Sequence, residues 1–322
     1  MQLEPVDTLQ IQVLIDNVTD SLSTVPKNVI HEMDYLETHG MKELSGECLC
    51  CAAHGFSLLL TTSKKSITHT VLFDAGPEGE VFQRNVTKLN VDVGSIEDIV
   101  LSHGHWDHAG GFIKVLDLMG PDHHPTFHVN PGMFHKRATR AFETSTVHPF
   151  KDIPSVHALQ ARGARVINDE KERLLGNNMF YLSGEISRVT SYEKGFPEHV
   201  RLLDQEWIPD PLLMDERFLT VNVRDKGLIV FSACSHAGIV NVLTHTKKCF
   251  PSIPLYAVMG GFHLSGQSVE GIISPTVNDI KNFNLKMIIP AHCTGWRAVN
   301  ALCNTFEEGI VVPSAVGRIY SF

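Results

Sequence analysis

Apolar and polar positions change period repeatedly along this chain. Leu9-Gln10-Ile11-Gln12-Val13-Leu14-Ile15 alternates with period two and predicts a half-buried strand. Apolar runs predict further strands at 54–60, 70–73, 96–101 and 126–129, with helical periodicity at 81–89 and 111–119. The second half repeats the theme: strands at 218–223, 228–231, 255–259 and 287–289, helices at 239–247, 277–283 and 296–306, and a last strand at 310–312. Two halves that each run from strands to helices predict two packed sheets with helices outside, a four-layer αβ/βα sandwich of the α/β class (α+β by some schemes). Residues 1–322 are read as a single domain. Residues 21–50 are irregular and predict a surface excursion. Residues 131–217 are weakly patterned and predict a cap or excursion bordering the site.

Every sequence with chemistry in it follows a predicted strand, which is where α/β folds build sites. In Ser102-His103-Gly104-His105-Trp106-Asp107-His108, three histidines and one aspartate fall within six residues. Imidazole nitrogens and carboxylate oxygens are the donor set of zinc and similar divalent metals. His103 and His105 alternate, so in an extended loop they face the same way. Asp107 and His108 come after the chain turns and face a second ion. A polar, histidine-rich turn is the bland alternative, and turns rarely need three imidazoles.

The spacing His-x-His-x-Asp-His resembles the signature of the metallo-β-lactamase superfamily. Other segments extend the resemblance to a branch of β-lactamase-like metal-dependent hydrolases related to the dihydropterin-ribofuranosyl-aminobenzene phosphate synthase family. These are His54-Gly55-Phe56-Ser57, Cys234-Ser235-His236-Ala237-Gly238-Ile239-Val240-Asn241, Gly260-Gly261-Phe262-His263-Leu264 and His292-Cys293-Thr294-Gly295. The resemblance implies that Asp74 braces the metal loop. It implies that Cys234 takes the place of a bridging aspartate or metal-binding cysteine, and that His292 completes the second metal. It expects a further histidine where this chain has Asn130, a poor zinc ligand. His128 would replace it only if the register shifts by two, and His135 is another possibility; His236 is the better replacement. The expected ligands are therefore His103, His105, Asp107, His108, Cys234, His236 and His292.

This set implies two divalent ions, zinc first, with manganese or iron accepted by the same donors. Two ions sharing a water would bring its pKa towards neutrality, and the hydroxide would attack a carbonyl or phosphorus. Asp107 would orient that water, and His263 or Cys293 would protonate a leaving group. The implied activity is a metallo-hydrolase acting on an ester, lactone, thioester or phosphoester of a small molecule. Two alternatives are a transferase of the pterin-synthase type and a non-catalytic sensor that kept the fold. The transferase would need a basic pocket, for which Lys136, Arg137 and Arg140 are the candidates.

Composition narrows this only slightly. The net charge of −9 is spread without blocks, so no nucleic-acid partner and no membrane surface is expected. The seven cysteines are odd in number and irregularly spaced, which suits a reducing cytoplasm better than a disulfide framework. No stretch approaches the ~20 apolar residues of a membrane span.

Overall fold

The computed structural model describes residues 1–141 and 143–322. Two large sheets pack face to face. The first has eight strands in the order Arg165–Asn168, Thr126–Val129, Asp98–Val100, Ile67–Phe73, Ser57–Lys64, Thr8–Ile15, Ile319–Ser321, Val29–Ile30. The second runs Arg173–Leu175, Phe180–Leu182, Leu219–Val223, Gly227–Ser232, Leu255–Gly261, Met287–Ala291, with Pro5–Val6 beside Leu219–Val223. Between them, Ile11, Val13, Leu58, Phe73, Phe231, Met259 and Ile289 form one apolar layer. The outer face of the first sheet is covered by helices Gly79–Lys88 and Phe112–Met119 through Phe82, Val86, Phe112 and Leu116. The second is covered by Ile239–Cys249, Ile273–Ile280 and Trp296–Thr305 through Leu243, Ile280 and Leu302. Strands covered on both faces read as continuous apolar runs, which is why Leu58-Leu59-Leu60 and Ile229-Val230-Phe231 do not alternate.

The central strands of each sheet are parallel. Ile67–Phe73, Asp98–Val100 and Thr126–Val129 run together in one sheet, and Gly227–Ser232, Leu255–Gly261 and Met287–Ala291 in the other. Parallel strands end at the same edge, so six loops emerge side by side. They carry Asp74, residues 102–108, Asn130, residues 234–236, His263 and His292.

Three expectations need correction. The last strand is Ile319–Ser321, which pairs with Thr8–Ile15 and Val29–Ile30; Val311 forms only an isolated bridge with Ile288. Pro290, which has no N–H to give Val312, interrupts this ladder, although Ser314 N–H still donates to the Pro290 carbonyl at 2.9 Å. The helix expected at 277–283 spans Ile273–Ile280 and tightens into a 3₁₀ turn at Lys281–Phe283. Pro275 sits in its first turn, where the missing N–H costs nothing. The stretch 21–50 is not purely a surface excursion, since helix Glu32–Thr38 sends Leu36 into the core under the first sheet, beside Cys50.

The span 131–217 divides. Arg165–Asn168 extends the first sheet, and Arg173–Leu175 with Phe180–Leu182 extends the second. Four other strands of the span form a separate sheet ordered Glu206–Pro209, His199–Leu203, Arg137–Arg140, Val147–Pro149, and a short helix, Val156–Gln160, lies between them in sequence. Among the described residues, no helix is long and apolar enough to cross a membrane.

A polar brace crosses three neighbouring strands of the first sheet. His69 and His128 each direct Nε2 at one carboxylate, Asp98, at 2.7 and 2.6 Å. Burial alone would raise the Asp98 pKa, but these histidines hold it down at about 2. Its folded value lies below its unfolded one, so the stability it adds is present above the unfolded pKa, ~3.9, and lost as pH falls towards ~2. Asp98→Asn should therefore lower urea stability near neutral pH by roughly 1–3 kcal/mol. The gap from the wild type should close as pH falls through that window; a constant gap would show that the carboxylate's charge plays no part.

Candidate metal centre

Four of the six loops carry a non-glycine residue in the left-handed region: Asp74 (φ 61°), Ser235 (φ 47°), His263 (φ 46°) and His292 (φ 45°). Such strain persists only where the surroundings over-determine it, and it clusters at functional sites. Gly104, between the first two histidines, has no such torsion but no room either. A Cβ there would lie 2.2 Å from the Met133 carbonyl oxygen.

Asp74 organises the metal loop. Its side chain accepts from Ser102 N–H (2.7 Å), Ser102 Oγ–H (2.7 Å) and His108 Nδ1–H (2.7 Å). Because Ser102 Oγ donates to Asp74, it accepts from Nδ1–H of His103 at 2.9 Å, leaving Nε2 of His103 with a bare lone pair. The same logic bares Nε2 of His108. Nδ1 of His292 lies 3.0 Å from the amide oxygen of Asn17, and the His292 backbone N–H donates to Asp16 at 2.9 Å.

The bared nitrogens meet in two groups. In the first, Nε2 of His103 lies 3.0 Å from Nδ1 of His105 and 3.2 Å from Nε2 of His236. All three rings are buried, and burial with mutual repulsion pushes their pKa values far down, so they are neutral. Neutral imidazoles facing one another offer more lone pairs than hydrogens, and that donor set fits a cation. In the second group, Nε2 of His108 lies 3.2 Å from Nε2 of His292, and Asp107 Oδ2 lies 3.4 Å from His292 and 3.8 Å from His108. His54 adds a third nitrogen, 3.4 Å from Asp107. Burial opposes ionisation of Asp107, yet the surrounding imidazoles hold its carboxyl well below the usual range. Cys234 lies between the groups, its sulfur within 4.8 Å of ring nitrogens of His103 and His108. Cys293 lies beside it.

The residues weighed as substitutes for a missing histidine fall elsewhere. Asn130 is buried and caps the turn Pro131–Phe134 through Gly132 N–H at 2.9 Å. His128 is committed to Asp98, and His135 is exposed. His236, from the opposite sheet, is the one that reaches His103. The basic candidates do not line the cavity either. Arg137 lies buried behind the loop on Asp215 (2.6 Å), Arg140 donates to the Trp207 carbonyl oxygen, and Lys136 is exposed.

Sequence reasoning missed the next layer. Asp215-Glu216-Arg217 are three consecutive charged residues, all buried. Asp215 accepts from Gly104 N–H at 2.9 Å, Glu216 from His236 N–H at 2.8 Å, and Arg217 N–H donates to the Ser102 carbonyl at 2.8 Å. Burial pushes the Glu216 carboxyl up to about 7. His199 was missed as well. Its ring centroid lies 4.8 Å from that of His105 and 5.1 Å from that of His236. Burial and the neighbouring His263 lower its pKa to about 3.

These groups line a cavity of about 480 Å³, walled by Trp106, Phe150, Phe196, His199, His263 and Ser265. Among the described residues no lysine or arginine lines it. His263 is half-buried, with its ring 4.3 Å from His236.

The family model of the metallo-β-lactamase superfamily matches residues 59–149. Over 257 residues the chain is 30% identical to 7,8-dihydropterin-6-methyl-4-(β-D-ribofuranosyl)-aminobenzene-5'-phosphate synthase of Methanocaldococcus jannaschii, spanning 79% of this chain and 85% of that protein. The chain belongs to the metallo-β-lactamase superfamily. An uncharacterized protein of the same organism is also 30% identical, over 81% of this chain and 92% of its own. The crystal structure of a metal-dependent hydrolase of the β-lactamase superfamily shares the fold with a TM-score of 0.70, at 23% identity and 98% coverage of both chains. Metal dependence is typical of this superfamily's fold, and the donor groups here suit it.

Removing the carboxylate at the root of the loop should be costly, because three donors would lose their acceptor together. Asp74→Ala is expected to lower urea stability by roughly 3 kcal/mol or more. It should also weaken metal retention on dialysis. Unchanged retention in a folded variant would show that Asp74 does not orient the loop.

Proposed function

We propose that this superfamily member is a metal-dependent hydrolase acting on an ester, lactone, thioester or phosphoester bond of a small molecule. The observation that carries this reading is the pair of adjacent donor groups opening into one cavity. His103, His105 and His236 would hold one ion; Asp107, His108 and His292, with Cys234 between, would hold the second. Divalent ions there, zinc first and otherwise manganese or iron, supply Lewis acidity and lower the pKa of water towards neutrality.

The chain's own side chains do the rest. Asp107 accepts a hydrogen bond from the attacking water and orients it. His263 and Cys293 are the candidates to hand a proton to the leaving group. Trp106, Phe150, Phe196 and His199 exclude bulk water from the substrate and set its orientation.

The likeness to the methanogen synthase favours a second reading, a transferase of that type. A phosphate carried away from the reacting centre would need its own cationic side chains, and among the described residues no lysine or arginine lines the cavity, so hydrolysis is the reading we prefer.

Protein purified without chelator should carry about two equivalents of divalent metal per chain by elemental mass spectrometry. His103→Ala and His236→Ala should each lose at least half of it. Asn130→Ala should keep it, at a cost near 1 kcal/mol from the lost cap. His103→Ala protein that loses stability but neither metal nor turnover of a lactone and thioester panel would overturn the hydrolytic reading.

A further inference from the structure

Cys234 follows strand Gly227–Ser232, and Cys293 follows strand Met287–Ala291. Those strands are not neighbours; Leu255–Gly261 runs between them. Yet the two sulfurs stand 3.1 Å apart. The intervening strand permits this by ending in Gly261, where a Cβ would come within 2.5 Å of the Cys293 sulfur. A disulfide bond is about 2.05 Å long, so closing this pair takes a movement of about 1 Å. Both cysteines line the cavity; Cys293 is the more accessible and Cys234 is buried. The hydrolytic reading uses them one at a time and leaves their contact unexplained.

We propose that Cys234 and Cys293 form an oxidisable dithiol, which closes to a disulfide when a hydroperoxide enters the cavity. The Cys293 sulfur, giving up its proton, attacks one peroxide oxygen. The O–O bond breaks, the proton goes to the departing oxygen, and an alcohol leaves (water, when hydrogen peroxide is the oxidant). The Cys234 sulfur then attacks the resulting sulfenic acid. The S–S bond forms, the S–O bond breaks, and a water leaves with the Cys234 proton. The two sulfurs lose two electrons and the peroxide gains them. Bond formation stands on the sulfur geometry alone. Its consequence rests on the metal-centre reading above. A disulfide removes Cys234 from the donors between the two groups and draws the loop bearing His292 towards it.

The test treats the protein as purified, metal included, with near-stoichiometric hydrogen peroxide. Alkylation, intact mass and a non-reducing peptide map follow, with metal counted separately. The expected result is a loss of about 2 Da and a peptide joining Cys234 to Cys293, reversed by dithiothreitol. Cys303→Ser, at an exposed thiol, should behave identically, and Cys293→Ser should give no such link. Both thiols still open to alkylation after Cys303 has oxidised, or oxygen added to them without a link, would overturn the proposal. Release of about half the metal on closure would support the coupling; a link formed with all metal retained would overturn the coupling alone. Protein that never carried metal yet forms the link would refute the metal-centre reading and leave the dithiol standing.

Discussion

Both donor groups hang from one buried carboxylate. Asp74 is fully buried at the end of strand Ile67–Phe73 and is surrounded by donors from a single loop. Left unpaired there, its oxygens would be costly to bury. Paired as they are, they do two jobs at once. Through the Ser102 hydroxyl they fix the tautomer of His103, in the first group; by direct contact they fix that of His108, in the second. Removing the carboxylate would free both rings to turn or to swap protons between nitrogens. Its left-handed backbone is explained by the same need, since the chain must turn sharply after the strand to aim the side chain under the loop.

The sandwich supplies the other constraint. The first donor group draws His103 and His105 from one sheet and His236 from the other, so its geometry depends on how the sheets are held at that edge. Asp215, Glu216 and Arg217 hold them. Three consecutive residues grip the Ser102 carbonyl, the Gly104 amide and the His236 amide, then lead directly into strand Leu219–Val223. Burying three charged side chains is tolerable because each is hydrogen-bonded, two of them to backbone groups of the ligand loops. Glu193 repeats the device by accepting from Val240 and Asn241 N–H at the start of helix Ile239–Cys249.

What the sequence made legible was local. Strand alternation, apolar runs and the His-x-His-x-Asp-His spacing all lie within short windows, and the loops they marked do meet at one edge. The approach of His236 to His103 was also readable, because the resemblance expected one more histidine where this chain has Asn130. His199 was not, since it lies in a weakly patterned span and reaches the site through a separate small sheet. The Asp215-Glu216-Arg217 clasp lies in the same weakly patterned span. Its only signal was position, immediately before a strand feeding the site. The basic candidates failed for the opposite reason: Arg137 sits near the metal loop, but its charge is spent on Asp215 and Asp210.

That division bears on specificity. The donor-bearing loops are braced by buried carboxylates, whereas Phe150, Phe196 and His199 come from the span between the two halves. Those three form much of the wall a substrate would touch. The wall is not independent of the centre, however. Glu193, which anchors the segment running to Phe196, grips the helix that begins just after His236. His199 also packs against both His105 and His236. A change in this wall is therefore felt at the first donor group through direct packing, and the wall cannot be reshaped far without disturbing those rings. The neutral, aromatic character of the wall then follows from its position, because a cationic side chain at His199 would repel any ion held by His105 and His236.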